Sequence, residues 1–171
     1  MRQLKLFLFL FLLFLFQGTV MVHFSLNNMW GKVQMVPDFL LVACLMVSFF
    51  ADMKTGLQYA ILFGFLIDLV YTSVIGVYAF SLGLAVYLVY SLSKFFNMNA
   101  ATVLMLSLIG VFLLQTEVYV IYSVIGLIRQ PLSGFLQWRL PATLALNGAF
   151  TLIIYYPFRS FLRKMSEFEV Q

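Results

Sequence analysis

The most constraining feature of this chain is an apolar stretch between Leu57 and Leu92 in which the only charged side chain is Asp68. A helix of about 20 apolar residues is long enough to cross the hydrocarbon core of a bilayer, so the stretch predicts two membrane-spanning helices. An aspartate at the centre of such a helix costs about 2.5 to 3.5 kcal/mol on insertion scales. We therefore expect Asp68 to have partners that offset this cost or a function that uses it.

The overall composition is typical of a membrane protein. Hydrophobic residues make up 64% of the 171 positions and charged residues only 9%, whereas about a quarter of the residues in a soluble domain are charged. The apolar segments extend from residue 4 to residue 158 without a long polar linker, which predicts one integral-membrane domain over residues 1–171. The basic residues form no run that would bind nucleic acid, so we expect no nucleic-acid partner.

The expected fold is an all-α, polytopic membrane protein with about six transmembrane helices. Their approximate bounds are 4–22, 36–51, 57–72, 77–93, 100–128 and 141–158. We expect Pro37 and Pro141 to open the second and sixth helices, where a missing backbone N–H is harmless. The fifth segment is longer than one crossing needs, and we expect it to tilt or to break at Gln115-Thr116-Glu117. The first segment has the apolar core of a signal peptide without an Ala-x-Ala-like cleavage site, so we expect it to be retained.

The basic residues of the predicted loops indicate the orientation in the membrane. With six crossings, Lys32, Arg129 and Arg139 lie on one side, and the other seven lysines and arginines of the ten lie on the opposite side. Because loops rich in lysine and arginine stay in the cytoplasm, we expect both termini to be cytoplasmic and the protein to lie in the cell membrane. Trp30 and Trp138 then fall in outer loops, near the headgroups that indole rings favour.

Few side chains are available for chemistry. The chain has one histidine and one cysteine, and it shows no spacing typical of a metal site, a catalytic triad or a phosphate-binding loop. We therefore expect neither an enzyme nor a cofactor. Of the acidic residues, only Asp68 and Glu117 are predicted at membrane depth, both in the outer half.

Two interpretations of these acids remain open. The Asp68 carboxylate could accept hydrogen bonds from backbone N–H groups, Thr72, Ser73 or Tyr78 in the connection 72–77, which would tie the third helix to the fourth. Alternatively, Asp68 could contact a partner's helix or a solute, and the same choice exists for Glu117. Convergence of both acids on one pocket would point to a transporter, because like charges that close would share a proton.

Three glycines also have two interpretations. Gly64, Gly76 and Gly83 admit close approach of helices, either between helices of this chain or with a partner's transmembrane helix.

Four segments of the chain resemble the MreD family of bacterial rod shape-determining membrane proteins, in the form found in Gram-positive species. They are VPDFLLVAC, GFLIDLVYTSVIGVYAF, WRLPATLALNGAF and IIYYPFR, so the resemblance covers roughly residues 37–159. The family's recurrent residues fall on Pro37, Gly64, Asp68, Gly76, Tyr78, Ala79, Arg139, Pro141 and Asn147. The block G-x-x-x-D followed by G-x-Y-A is the most specific of these matches.

The resemblance implies a non-enzymatic scaffold of the cell-elongation machinery. Such a protein binds MreC and, with it, links MreB filaments to the peptidoglycan polymerase RodA and a class B penicillin-binding protein, which maintains the rod shape and positions peptidoglycan synthesis. Together with the polar and small residues above, the candidate structural or partner-contact residues are Asp68, Glu117, Gly64, Gly76, Tyr78, Gly83, Arg139 and Asn147.

The resemblance also implies an alternative. The MreD fold is similar to that of the substrate-binding subunits of energy-coupling-factor vitamin transporters, so a solute-binding subunit is the second candidate function. Those subunits commonly carry an Ala-x-x-x-Ala seam on the first helix, whereas Leu4 to Phe16 contains no alanine. This difference favours the scaffold.

Overall fold

The computed structural model describes residues 2–25, 34–128 and 131–166, and this part of the chain is helical without strands. Its helices are α1 (Arg2–Ser25), α2 (Phe39–Phe50), α3 (Met53–Tyr71), α4 (Val77–Ser93), α5 (Ala100–Val124) and α6 (132–166). The all-α prediction is confirmed. Trp30, Lys32 and Arg129, which the sequence places in outer loops, lie outside the described residues.

α2 is the central helix of the bundle. Every residue from Phe39 to Ser48 is buried, and α2 packs against each of the other five helices. α3, α4, α5 and α6 follow one another around it, and α1 lies against α2 and α3. α1 buries Leu6, Leu10 and Phe14, a spacing of four residues that places all three on one face of a helix.

The outward faces of the surrounding helices stay apolar. Leu12, Leu69, Phe80 and Phe112, from α1, α3, α4 and α5, are all exposed. α3 and α5 are long and apolar enough to cross a membrane, and α2 and α4 are shorter apolar helices. These faces suit a lipid environment.

α3 begins four residues earlier than the sequence predicts, at Met53 instead of residue 57. Asp52 is its N-cap, and the Asp52 carboxylate accepts a hydrogen bond of 3.0 Å from the Thr55 N–H. An N-terminal cap of this kind satisfies a backbone donor that would otherwise have no partner. The polar residues before Leu57 therefore belong to the helix.

α5 is one continuous helix, and the break expected at Gln115-Thr116-Glu117 is absent. It ends at Val124 instead of residue 128, because Gly126 adopts a positive φ of 77°. A glycine in this conformation terminates a helix readily since it has no Cβ. The Leu127 N–H then bonds back to the Tyr122 carbonyl at 2.9 Å.

α6 begins well before Pro141, which corrects the prediction that this proline opens the last helix. The helix starts with a short turn, Leu132–Gly134, passes through a π-helical turn, Phe135–Arg139, and continues as Leu140–Ser166. A proline inside a helix cannot donate to the carbonyl four residues back, and the wider hydrogen bonding of a π-turn accommodates such an interruption. The buried side chains of Phe158 and Leu162 carry α6 past its predicted end at residue 158.

Candidate functional site

Most of the buried polar side chains lie at one end of the bundle, which we call the Arg139 end. It comprises the second half of α1, the start of α2, the hairpin between α3 and α4, the last turns of α5 and the first turns of α6. The sequence-predicted residues Asp68, Gly76, Tyr78, Arg139 and Asn147 all lie there.

The Asp68 carboxylate caps the first turn of α4. Asp68 is only 1% exposed, and its oxygens accept hydrogen bonds from the N–H groups of Gly76 (2.9 Å), Tyr78 (3.0 Å) and Ala79 (3.0 Å). The first N–H groups of a helix have no partner within the helix, and the positive end of the helix dipole favours an anion there. These hydrogen bonds are those of the first interpretation of Asp68, in which its carboxylate ties α3 to α4, and they offset the cost of burying the acid.

Two of the candidate glycines bring α3 and α4 close together. A Cβ on Gly64 would lie 2.7 Å from the Ala79 Cα and 2.7 Å from the Tyr78 carbonyl oxygen, and one on Gly83 would lie 3.0 Å from a side-chain carbon of Ile61. At Gly64 and Gly83, helices of the same chain occupy this space, which is the first of the two interpretations of these glycines. Gly76 has a different role, since its φ of 102° lets the chain turn into α4.

Asn147 of α6 holds the extended segment that leads into α2. Its side-chain oxygen accepts a hydrogen bond from the Asp38 N–H (2.8 Å), and its amide nitrogen donates to the carbonyls of Val36 (2.9 Å) and Thr143 (2.8 Å). The Thr143 hydroxyl accepts from the Val36 N–H at 3.1 Å. The backbone around Asp38 is buried, and buried backbone groups without a partner are costly. Asn147 and Thr143 meet this need from a helix more than a hundred residues away in the chain.

The other side of the α2 entry is satisfied by α1. The Gln17 side-chain oxygen accepts a hydrogen bond of 3.0 Å from the Leu40 N–H in the first turn of α2. Asp38, the N-cap of α2, makes no capping bond with its own side chain, so Gln17 takes over the role of the cap. α1 is thereby tied to the central helix by a polar contact as well as by its apolar stripe.

A chain of three polar side chains connects α2, α5 and α6. The Gln115 amide nitrogen donates to the Asp38 carboxylate at 2.7 Å, and the Gln115 oxygen accepts from the Arg139 guanidinium at 3.3 Å. Asp38 and Gln115 are 2% and 1% exposed, whereas Arg139 is half-buried. Gln115 thus bridges an acid and a base and fixes the position of the guanidinium.

A cavity of about 330 Å³ opens at the Arg139 end. Its polar lining includes Gln17, Asp38, Tyr71, Tyr78, Tyr122 and Arg139. The Nε of Arg139 is buried and has no hydrogen-bond partner among the described residues. The Arg139 guanidinium lines the cavity, so the cavity presents a cation that Gln115 holds in place.

Glu117 lies apart from this cavity. It is half-buried beside Ser81 of α4, and its Oε2 atom has no hydrogen-bond partner in the described part of the chain. Neither Glu117 nor Asp68 lines the cavity. The two acids thus do not converge on one pocket. Such convergence would have pointed to a transporter. In addition, no three His, Cys, Asp or Glu residues within the described ranges are placed to hold a metal ion.

Sequence reasoning missed four residues of the site, namely Gln17, Asp38, Gln115 and Thr143. Asp38 lies within the predicted second helix, yet only Asp68 and Glu117 were expected as acids at membrane depth. A usable signal was present, because each of the four is a polar residue inside an apolar segment. Polar groups in such segments usually face the interior of the bundle, where they find partners.

We expect the substitution Asn147→Leu to lower the free energy of unfolding by about 2 to 3 kcal/mol, because the Asp38 N–H and the Val36 carbonyl lose their partner. Thr151→Val is the matched control on the same helix. The Thr151 hydroxyl donates only to the Asn147 carbonyl one turn earlier, so its loss costs less than about 1 kcal/mol. Unfolding of the purified variants in detergent measures both values, and equal losses would contradict the role of Asn147.

The comparisons with known proteins agree on one family. The family model described as "rod shape-determining protein MreD" matches residues 1–165. The rod shape-determining protein MreD of Bacillus subtilis (strain 168) is 33% identical over 149 residues, which is 87% of this chain and 86% of the relative. No solved structure matches the chain. Together with its apolar, all-helical fold, these matches show that the chain is a membrane protein and belongs to the MreD family of rod shape-determining proteins.

Proposed function

We propose that this protein is a non-enzymatic membrane scaffold of the cell-elongation complex, which binds MreC directly. Through MreC it would join MreB, RodA and a class B penicillin-binding protein and so position peptidoglycan synthesis. Membership of the MreD family supports the role in shape. The structural observation that supports a scaffold function is that buried polar groups at the Arg139 end hold helices to one another. Such a frame offers a partner a fixed surface.

The fold supports six crossings within a single domain over residues 1–171. α2 has only 12 residues, or about 18 Å of helix. The extended residues 34–38 before it add about 16 Å, so the two together match a hydrocarbon core of about 30 Å. Non-helical backbone at membrane depth is tolerated where protein covers it, and residues 36–38 are buried.

The charges favour an orientation with both termini in the cytoplasm. Lys5, Lys54, Lys94 and Lys164 lie on turns or helix ends at the end of the bundle opposite Arg139. Because lysine and arginine are enriched on the cytoplasmic side, this end would face the cytoplasm. The Arg139 end would then face outward, within reach of the enzymes that build the wall.

The proposal is tested by depleting the protein and following cell shape by microscopy. We expect depleted cells to become round or swollen and to recover their shape when the unmodified chain is expressed again. A tagged chain should also co-purify MreC, with an unrelated single-span membrane protein as the control for non-specific capture. Normal cell shape after depletion, or equal recovery of MreC and the control protein, would contradict the proposal.

A further inference from the structure

We propose that the Arg139 end is a docking surface for an extracytoplasmic segment of a membrane partner, and that this segment places one acidic side chain against Arg139. The inference rests on the proposed function, which puts this end outside the cytoplasm and supplies a membrane partner. Two features carry it: exposed apolar residues beyond the start of α4, and the cation in the adjoining cavity.

The apolar residues lie on or next to the part of α5 that extends past α4. α5 has 25 residues and α4 has 17, so α5 is about 12 Å longer at 1.5 Å per residue. The two helices are joined at the opposite end, through residues 94–99, and the extra length therefore projects at the Arg139 end. At about 37 Å, α5 also exceeds the hydrocarbon core of about 30 Å.

Large apolar side chains are exposed at the end of α5, just after it and at the start of α6. Val124 is 80% exposed, Leu127 is 53% exposed, and Leu132 at the start of α6 is 57% exposed. Lipid tails cover such residues inside the membrane but not beyond the hydrocarbon core. Exposed apolar surface in contact with water marks sites of protein interaction.

The apolar surface borders the cavity that holds Arg139. Leu127 is exposed and also lines the cavity. Gln115 holds the Arg139 guanidinium, which lines the cavity together with Tyr71 and Tyr78. A partner's carboxylate is a suitable ligand for this guanidinium, because charge-assisted hydrogen bonds are stronger than neutral ones. An arginine surrounded by tyrosines and an apolar rim has the composition of an interface hot spot.

The charges of the cavity favour a single carboxylate over a phosphate group. Asp38 lies in the same lining as Arg139, so the cavity has one acid for one base and no surplus of positive charge to balance a ligand with two or more negative charges. The cavity of about 330 Å³ is at the small end of the range for ligand pockets, but it accommodates a protein side chain. The apolar rim extends the contact beyond the cavity, as a docked polypeptide requires.

Site-specific photo-crosslinking tests the surface in cells. A benzophenone amino acid is placed at Leu127, and at two exposed control positions, Leu88 within α4 and Phe95 at the opposite end. We expect a crosslink to the extracytoplasmic segment of MreC from position 127 and none from positions 88 and 95. If MreC co-purifies but crosslinks only from the control positions, the docking surface is overturned and the proposed function survives. If MreC does not co-purify, both fail.

Opposite charges at one exposed position test the acidic contact. Val124→Asp and Val124→Lys change the same solvent-facing site, so neither should affect folding. We expect Val124→Asp to lower the recovery of MreC several-fold and Val124→Lys to maintain or raise it. In the unmodified background, Arg139→Gln should lower recovery about tenfold. Equal recovery with Val124→Asp and Val124→Lys would overturn the acidic side chain as the partner group.

Discussion

Replacement of Asp68 by alanine is expected to lower the free energy of unfolding by about 4 to 6 kcal/mol, because one buried and two part-buried N–H donors lose a charged acceptor at once. The donors belong to Gly76, Tyr78 and Ala79, at the point where the chain turns into α4. The Tyr78 N–H is buried, so water does not readily replace the carboxylate at this donor. Unfolding of the purified protein in mixed detergent micelles measures the loss.

Asp52→Ala is the matched control for this experiment. Asp52 also caps a helix, but it is exposed and its carboxylate accepts a single backbone hydrogen bond, from Thr55. Loss of such a cap costs about 1 kcal/mol, since water replaces the carboxylate. The two variants remove the same side chain from the two ends of α3. Equal losses of unfolding free energy in the two variants would show that burial of Asp68 does not increase its contribution to stability.

Gly64→Ala is expected to cost about 3 kcal/mol, at the upper end of the range for overpacked sites. The new methyl group would meet the Cα of Ala79 and the carbonyl oxygen of Tyr78, both at 2.7 Å. These are backbone atoms, so relief requires α3 and α4 to move apart as whole helices. That movement would also lengthen the hydrogen bonds of Asp68 to the start of α4.

Gly83→Ala provides the control for Gly64→Ala, because both change a buried glycine between the same two helices. At Gly83 the methyl group meets the end of the Ile61 side chain at 3.0 Å, and a side chain gives way more easily than a backbone. Alanine also favours a helix over glycine by about 1 kcal/mol. We therefore expect Gly83→Ala to leave the free energy of unfolding unchanged or to raise it in the same assay. If Gly83→Ala lowered this free energy as much as Gly64→Ala, the distinction between a backbone contact and a side-chain contact would be wrong.

Much of the α3–α4 hairpin was predictable because its interactions are local. Asp68 and the N–H groups that it binds are 8 to 11 residues apart, and a lone acid in an apolar stretch indicates a need for nearby donors. The end of α5 was predicted at residue 128, although Gly126 offers an earlier helix stop. The prediction that Pro141 opens the last helix was wrong. Proline often opens helices, but here a π-turn before it lets the helix continue through it.

The site around Asp38 was not predictable in the same way. Its partners Gln115 and Asn147 are 77 and 109 residues away in the chain, and no periodicity connects residues at such distances. The same holds for the glycines, since a small side chain indicates close approach without naming the neighbour. The structure assigned Gly64 and Gly83 to the contact between α3 and α4, and this left no room there for a partner.

The sequence by itself determined that this protein is an all-helical membrane protein, where most of its helices lie, and that Asp68 needs partners, because hydrophobicity and capping act over a few turns of one helix. Only the tertiary structure decided that α2 is central and that Gln17, Asp38, Gln115, Arg139 and Asn147 meet at one end. The reason is physical: a buried polar group accepts any partner of suitable geometry, and the packing of the helices selects which distant residue supplies it.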